Sequence, residues 1–365
     1  MRERIENTLM ELIKFKSTAN NIKELKGVVD YVEDNLRLTG LTLRRFEKNY
    51  KPSLLVTTRD TLKPKILFVG HLDVVDAKDE DFVPRLEGNR IYGRGSIDMK
   101  GSCAVMMELA KELAAEKYRG DVGFLFTTDE EVGSKDGVQY LVEDVGVGGE
   151  FVIIPDGGHG FQLIVEGKGV LHLKIVAKGR SVHGSRVFEG ENALDKLFNI
   201  YNELLTRFPK EPCGDPEHWH NTINLGKVVG GDSVNRVPDY AEMYLDIRFV
   251  PPYKVSDIES MVKETISKYP RVDYEVLSSG EPVFTDRNSP FILRFKKIAE
   301  EVLKKKVNFA REHGATDGRF FSVKGMQVLI TAPYGENVHG DNEWVDVVSL
   351  VQLFEIFRRF VQKEQ

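Results

Sequence analysis

Residues 170–277 read, in order, as a strand (170–178), a helix (193–207), two strands (221–229 and 240–249), a helix (255–268) and a strand (272–277). This βαββαβ order is the ferredoxin-like pattern, a small α+β unit in its own right. Its surroundings follow a different pattern. Short aliphatic or β-branched runs at 54–57, 66–69, 122–127 and 152–154 are bounded by turn residues and read as buried strands. Helical spacing of apolar residues appears at 4–15, 28–36 and 103–117, and again at 290–303 and 345–361, with one more strand at 327–330. An α/β unit interrupted by an α+β insert accounts for all of this. The predicted domains are 1–168 together with 280–365, and 169–279 between them; a chain of 365 residues also exceeds a comfortable single core.

Composition narrows the function. Hydrophobic residues at 41% and charged residues at 30% are the balance of a soluble globular protein, and no apolar run approaches the ~20 residues that span a bilayer. The first residues carry charges every few positions and are not expected to act as a signal peptide. Cys103 and Cys213 are the only cysteines, which gives neither a disulfide framework nor a thiolate zinc site, so a cytoplasmic setting is expected. The net charge is −6 with basic and acidic residues interleaved, so neither nucleic acid nor membrane is an expected partner.

Metal-competent side chains recur where predicted strands end, which is where α/β sheets place ligands. Gly70-His71-Leu72-Asp73 follows the run 66–69. His71 and Asp73 can face one side, and a carboxylate beside a ligating histidine fixes its tautomer. Gly93-Arg94-Gly95-Ser96-Ile97-Asp98-Met99-Lys100-Gly101 is a glycine-rich turn into a helix. It completes neither phosphate-binding signature and no strand is predicted to feed it, so its acid is either a helix cap or a ligand. Thr127-Thr128-Asp129-Glu130-Glu131-Val132-Gly133 puts adjacent carboxylates after a buried strand, a costly pairing unless cations compensate it. Ile154-Pro155-Asp156-Gly157-Gly158 and Gly335-Glu336-Asn337-Val338-His339-Gly340 complete the series. Singly, each is as well explained by a turn or a solvated acid; five in one domain point to a metal site. Nitrogen and oxygen donors without thiolate suit zinc, with cobalt or manganese as substitutes.

The ordered set GHLDVV, GRGSIDMKG, TTDEEVG, PDGG and ENVHG resembles the co-catalytic zinc peptidase family of acetylornithine deacetylase, succinyl-diaminopimelate desuccinylase, aminoacylase and glutamate-releasing carboxypeptidase. The resemblance spans essentially the whole chain. It implies a zinc-exopeptidase-like catalytic domain, with a mixed central sheet flanked by helices, and a ferredoxin-like insert serving as lid and dimerisation domain. Carried over residue by residue, it makes His71 and Asp156 ligands of one metal, Glu131 and His339 ligands of the other, and Asp98 the bridge. Asp73 would orient His71, and Glu130 would be the general base. In the insert, Gly179-Arg180-Ser181-Val182-His183-Gly184 resembles the lid motif whose histidine polarises the scissile carbonyl. Asn235 and Arg248 match the residues that hold a substrate carboxylate, and Gly314-Ala315-Thr316-Asp317-Gly318-Arg319 resembles a further substrate loop.

The expected activity is hydrolysis of an amide in a small peptide or N-acyl amino acid with a free carboxylate, by a homodimer. Two features divide the substrate. Asp156 as terminal ligand resembles the peptidase and acetylornithine branches, whereas Asp317-Gly318-Arg319 resembles the desuccinylases. The ligand weighs slightly more, because the loop departs from the desuccinylase pattern at Ala315 and Thr316. A carboxylate-binding module that has lost its chemistry would lack the base or the bridge, and both are present. His159, His172, His218, His220 and His313 carry ordinary structural readings and are not expected as ligands.

Overall fold

The computed structural model describes residues 1–208, 214, 215 and 217–362. The chain divides into two compact units: Met1–Val165, Phe284–Glu312 and Phe320–Gln365 form the first, Glu166–Val283 and His313–Arg319 the second. The segment His313–Arg319 therefore groups with the insert, whereas the sequence expectation assigned all of 280–365 to the catalytic unit. Its neighbours explain the difference: His313 stands edge-on to Trp219 at 5.6 Å, and the Arg319 side chain lies where a Cβ on Gly280 would project.

In the first unit a mixed sheet runs in the order Thr42–Lys48, Lys51–Thr57, Val122–Thr127, Ile66–His71, Phe151–Ile154, Gln327–Ile330 and Leu163–Gly167. The four strands from Val122–Thr127 to Gln327–Ile330 are mutually parallel, and those of Ile66–His71, Val122–Thr127 and Phe151–Ile154 are buried along their whole length. Parallel strands covered on both faces need continuous apolar sequence, and these short runs supply it. Arg2–Ile13, Gly101–Ala115, Pro290–Leu303 and Val347–Gln362 are helices packed into the same core. Phe68 stacks on Phe124 (centroids 5.4 Å apart) and tilts against Phe357 of the last helix (4.7 Å). Burying such a ring contributes about 1.5–3 kcal/mol.

A second, small sheet joins Gly335–Glu336, Trp344–Asp346, Arg90–Tyr92 and Arg85–Glu87. Arg90–Tyr92 leads straight into Gly93, so a strand does feed the glycine-rich turn, contrary to the sequence expectation.

The second unit has a four-stranded antiparallel sheet in the order Thr222–Gly230, Tyr240–Phe249, Gly169–Lys178, Val272–Gly280. With helices Ala193–Leu205 and Val255–Ile266 packed on its Leu171, Leu173, Ile175 and Leu245 face, this is the ferredoxin-like topology. Side chains alternate across a strand, so His172, Asp246 and Arg248 occupy the opposite face. Among the described residues no helix is long and apolar enough to cross a membrane.

Candidate metal centre

Strand ends build the centre. His71 closes the strand Ile66–His71, Glu130 and Glu131 follow Val122–Thr127, and Asp156 follows Phe151–Ile154, so three adjacent strands deliver them to one edge. Asp98 arrives on the turn after Gly95, whose φ of 82° is readily adopted only by glycine. Asp98 and Met99 leave helical geometry there (φ −120° and −129°), and Asp98 caps no helix. Its carboxylate lies between two imidazoles instead. Asp98 Oδ1 is 3.1 Å from His71 Nε2, and Oδ2 is 3.0 Å from His339 Nε2. Asp156 Oδ2 lies 3.7 Å from His71 Nε2, and the Glu131 carboxylate 3.1 Å from His339 Nε2. His71, Asp98 and Glu131 offer ligand atoms within 4.8 Å of one another, as do His71, Glu130 and Asp156.

The orientation of His71 comes partly from an unexpected atom. Its Nδ1 is 3.0 Å from the Asp73 backbone carbonyl and 3.6 Å from the Asp73 carboxylate, which accepts the Glu131 backbone N–H at 3.1 Å. An Nδ1–H donated to that carbonyl leaves Nε2 to face Asp98 and Asp156. Asp73 thus touches both the strand end that carries His71 and the turn that carries Glu131.

The electrostatics suit cations. Burial, with Asp98 adding to it against the pull of His71, pushes Glu131 up to about 7. Burial and then Asp98 also raise Asp156. Burial alone would raise Asp98, but hydrogen bonds with His339 and His71 hold it far below the usual carboxylate range. Burial works to lower His71, yet Asp156 and Asp98 lift it well above an ordinary imidazole, and Asp98 first of all lifts His339 to about 9. Crowded carboxylates of this kind, facing two imidazoles with no thiolate among them, fit a pair of divalent ions. The Cys103 thiol, pushed by burial to about 12, stays protonated and donates to the His71 carbonyl (3.2 Å); Cys213 lies outside the described residues.

A pH dependence follows. At neutral pH the His339 imidazole, lifted to about 9, holds a proton that an ion bound there would have to displace, and the upward shift of His71 acts in the same direction. Apparent zinc affinity is therefore expected to rise with pH through the neutral range, by about tenfold per pH unit for each proton displaced. Calorimetric titration of chelator-stripped protein in two buffers of different ionisation enthalpy measures the protons released. Release of none would contradict this picture.

Three supporting residues were given no role by sequence reasoning, although Arg94 and Asp129 lie within the quoted motifs. Glu343, 2% exposed, accepts the backbone N–H groups of Gly95, Ile97 and Asp98 at 2.9, 2.9 and 3.2 Å. Arg94 pairs with it at 2.7 Å. Asp129 accepts the Asp136 and Gly137 N–H groups (2.7 and 2.9 Å), and a Cβ on Gly137 would fall 2.0 Å from its carboxylate, so the turn after Glu131 is pinned. The glycine-rich turn does cradle an anion, and that anion is the chain's own Glu343 carboxylate.

Of the predicted residues in the second unit, His183 and Asn235 are neighbours: the Gly184 N–H donates to the Asn235 carbonyl at 2.7 Å, and His183 Nδ1 meets the Ser185 hydroxyl at 2.9 Å. Arg248 is paired with Asp246 (2.7 and 3.3 Å). Arg319 donates to the Thr316 carbonyl at 2.9 Å. His172 bridges Asp246 (3.3 Å) and Ser278 (2.8 Å) on the same sheet face as Arg248.

Comparison with known proteins gives this site a family. An uncharacterised metallohydrolase of Methanocaldococcus jannaschii is 29% identical over 384 residues, covering 94% of this chain and 92% of its own. A succinyl-diaminopimelate desuccinylase of Rickettsia felis is 28% identical over 384 residues, covering 98% and 99%. In fold, the chain resembles the aminopeptidase PepT of Bacillus cereus with a TM-score of 0.77 at 20% identity, over 100% of this chain and 98% of the other. Residues 67–363 match the sequence profile of peptidase family M20/M25/M40, so the chain belongs to that family and is a metal-dependent hydrolase of amide or peptide bonds.

Proposed function

We propose that the substrate is a small peptide or N-acyl amino acid with a free carboxylate, cleaved at its amide bond. His71 and Asp156 would hold one ion and Glu131 and His339 the other, with Asp98 shared by both. The observation that carries this reading is the Asp98 carboxylate, which turns one oxygen to each imidazole. Bound divalent ions, zinc foremost, polarise the amide carbonyl and acidify the attacking water. Glu130, with an oxygen within 4.8 Å of the ligand atoms of His71 and Asp156, takes the water's proton as the C–O bond forms. It returns that proton to the leaving nitrogen as the C–N bond breaks. Asp73 keeps the His71 ring in register, and His183, by its likeness to the lid motif, donates to the developing oxyanion. Asn235, Arg248 and Arg319 bind the carboxylate end, and the second unit joins two chains into a homodimer.

The desuccinylase reading of the same site draws on the Rickettsia felis relative, whose likeness extends over 98% of this chain. One assay separates the two. Dipeptides, N-acetyl amino acids and N-succinyl amino acids are offered to protein reconstituted with zinc, cobalt or manganese. Turnover confined to N-succinyl substrates favours the desuccinylase, and failure on every amide by metal-loaded protein rejects the proposal.

Arg248 provides a narrower test. Its guanidinium already meets Asp246, so a substrate carboxylate would complete an acidic pair around one planar fork. Arg248→Ala is expected to raise KM roughly tenfold to hundredfold for substrates with a free carboxylate, the value of one charge-assisted pair. Carboxamide analogues should change little. Equal losses on acid and amide would remove Arg248 from the site.

A further inference from the structure

The loop after Gly93 and the loop around His339 are far apart in sequence, yet one buried ion pair holds both. Glu343 fills the cradle formed by the Gly95, Ile97 and Asp98 N–H groups, and it also receives Arg94 Nη1 at 2.7 Å. The second arm of that guanidinium, Arg94 Nη2, donates to the carbonyls of His339 (3.2 Å) and Gly340 (3.0 Å). The main chain reinforces the join, with the Gly93 N–H donating to the Glu343 carbonyl at 3.0 Å. Arg94 and Glu343 are 4% and 2% exposed.

Two observations argue that this pair does more than add stability. A buried salt bridge is a weak stabiliser compared with apolar residues of the same volume, because two charges must be stripped of water. The conformation it holds is also one the chain would not adopt unaided. His339 has φ +59°, and Asn337 and Asn342 on either side have φ +64° and +55°. A histidine in the left-handed region persists only where its surroundings impose it. The Arg94 hydrogen bonds fall on the carbonyl of that residue and of the next. They fix the backbone that carries His339, whose Nε2 stands 3.0 Å from Asp98.

We propose that Arg94 and Glu343 are positioning residues that set the separation of Asp98 from His339, and so govern the ion these two share with Glu131. This rests on the dinuclear reading above. The ion at His71 and Asp156 depends on the pair only through Asp98, whereas the ion at Glu131 and His339 depends on it twice.

The test is titration of chelator-stripped protein with Zn2+ by calorimetry and with Co2+ by its visible absorption, on the parent chain and on Glu343→Gln. The amide keeps the shape and an acceptor oxygen but loses the charge. One of two binding events is expected to weaken by about 10–100-fold, the usual effect of removing a residue that orients a ligand, while the other shifts far less. Because Glu343→Gln leaves the Arg94 charge buried without its partner, a lower melting temperature in EDTA is expected as well, and the discriminating readout is the selective weakening of one ion. In a His339→Ala background, which lacks the sensitive ion already, adding Glu343→Gln should leave the remaining ion nearly unchanged. Should Glu343→Gln not fold, Arg94→Lys takes its place, since an ammonium keeps the charge but cannot reach the carboxylate and both carbonyls together. Two ions bound at parental affinity by either variant would overturn the proposal. So would equal weakening of both ions. A parent chain that takes up no ion would instead overturn the dinuclear reading, and this proposal with it.

Discussion

Glu130→Gln is expected to lower turnover by about 10²–10⁴-fold, the usual contribution of a positioned general base, while the protein keeps both ions. Asp98→Ala is expected to abolish turnover by a different route, through loss of both ions. The contrast follows from geometry. Asp98 turns a separate oxygen to each imidazole at 3.1 and 3.0 Å, so in the proposed dinuclear centre its removal would leave each ion one ligand short. Glu130 reaches within 4.8 Å of His71 and Asp156 ligand atoms, a range that admits a carboxylate hydrogen-bonded to water as well as a direct ligand. Metal content by atomic absorption, beside kcat, separates the two roles. If Glu130→Gln strips metal as fully as Asp98→Ala, Glu130 is a ligand and the base must be sought elsewhere.

Much of this site was legible because its residues follow buried strands at once. His71, Glu130, Glu131 and Asp156 each come within a few residues of an apolar run, and such runs in a parallel sheet end on one edge. Asp98 was legible only through its glycines and family likeness, since its turn is neither helix nor strand. Glu343 was not legible at all, and Arg94, although inside the quoted glycine-rich motif, showed no role. Their interaction joins positions 249 residues apart, and Glu343 follows a polar stretch where an acid ordinarily meets solvent. One physical clue existed: a glycine-rich turn that matches no phosphate signature still directs backbone N–H groups somewhere, and a buried anion must answer them.

The missed fold elements have related causes. Strands of two or three residues, such as Gly335–Glu336 and Arg85–Glu87, are too short to show alternation, and they exist because they pair with Trp344–Asp346 and Arg90–Tyr92 respectively. Thr42–Lys48 is an edge strand whose charged, half-exposed residues hide its period while also discouraging pairing with a second chain. His313–Arg319 contains no signal of its own that it belongs with the insert; Trp219 and Gly280 draw it there.

Co-expression of Glu130→Ala and His183→Ala chains is expected to restore activity that neither possesses alone. The expectation combines the proposed homodimer with the proposed role of His183 as a donor to the neighbouring chain's reaction centre. One homodimer lacks its base in both sites and the other lacks its oxyanion donor, so each is close to inactive. In a mixed dimer, the site that retains Glu130 lies on the His183→Ala chain and receives His183 from the Glu130→Ala chain. That site is whole, while the other lacks both groups. Random assembly of a symmetric dimer makes about half of the molecules mixed, each with one whole site of two, so roughly a quarter of all sites should recover. If His183 served its own chain, both sites of the mixed dimer would still lack one group, and no combination would rebuild either. Mixing the separately purified homodimers under conditions that block subunit exchange provides the baseline. Recovery near a quarter of parental activity after co-expression, absent from that baseline, supports donation between chains, and co-expressed protein no more active than either parent rejects it.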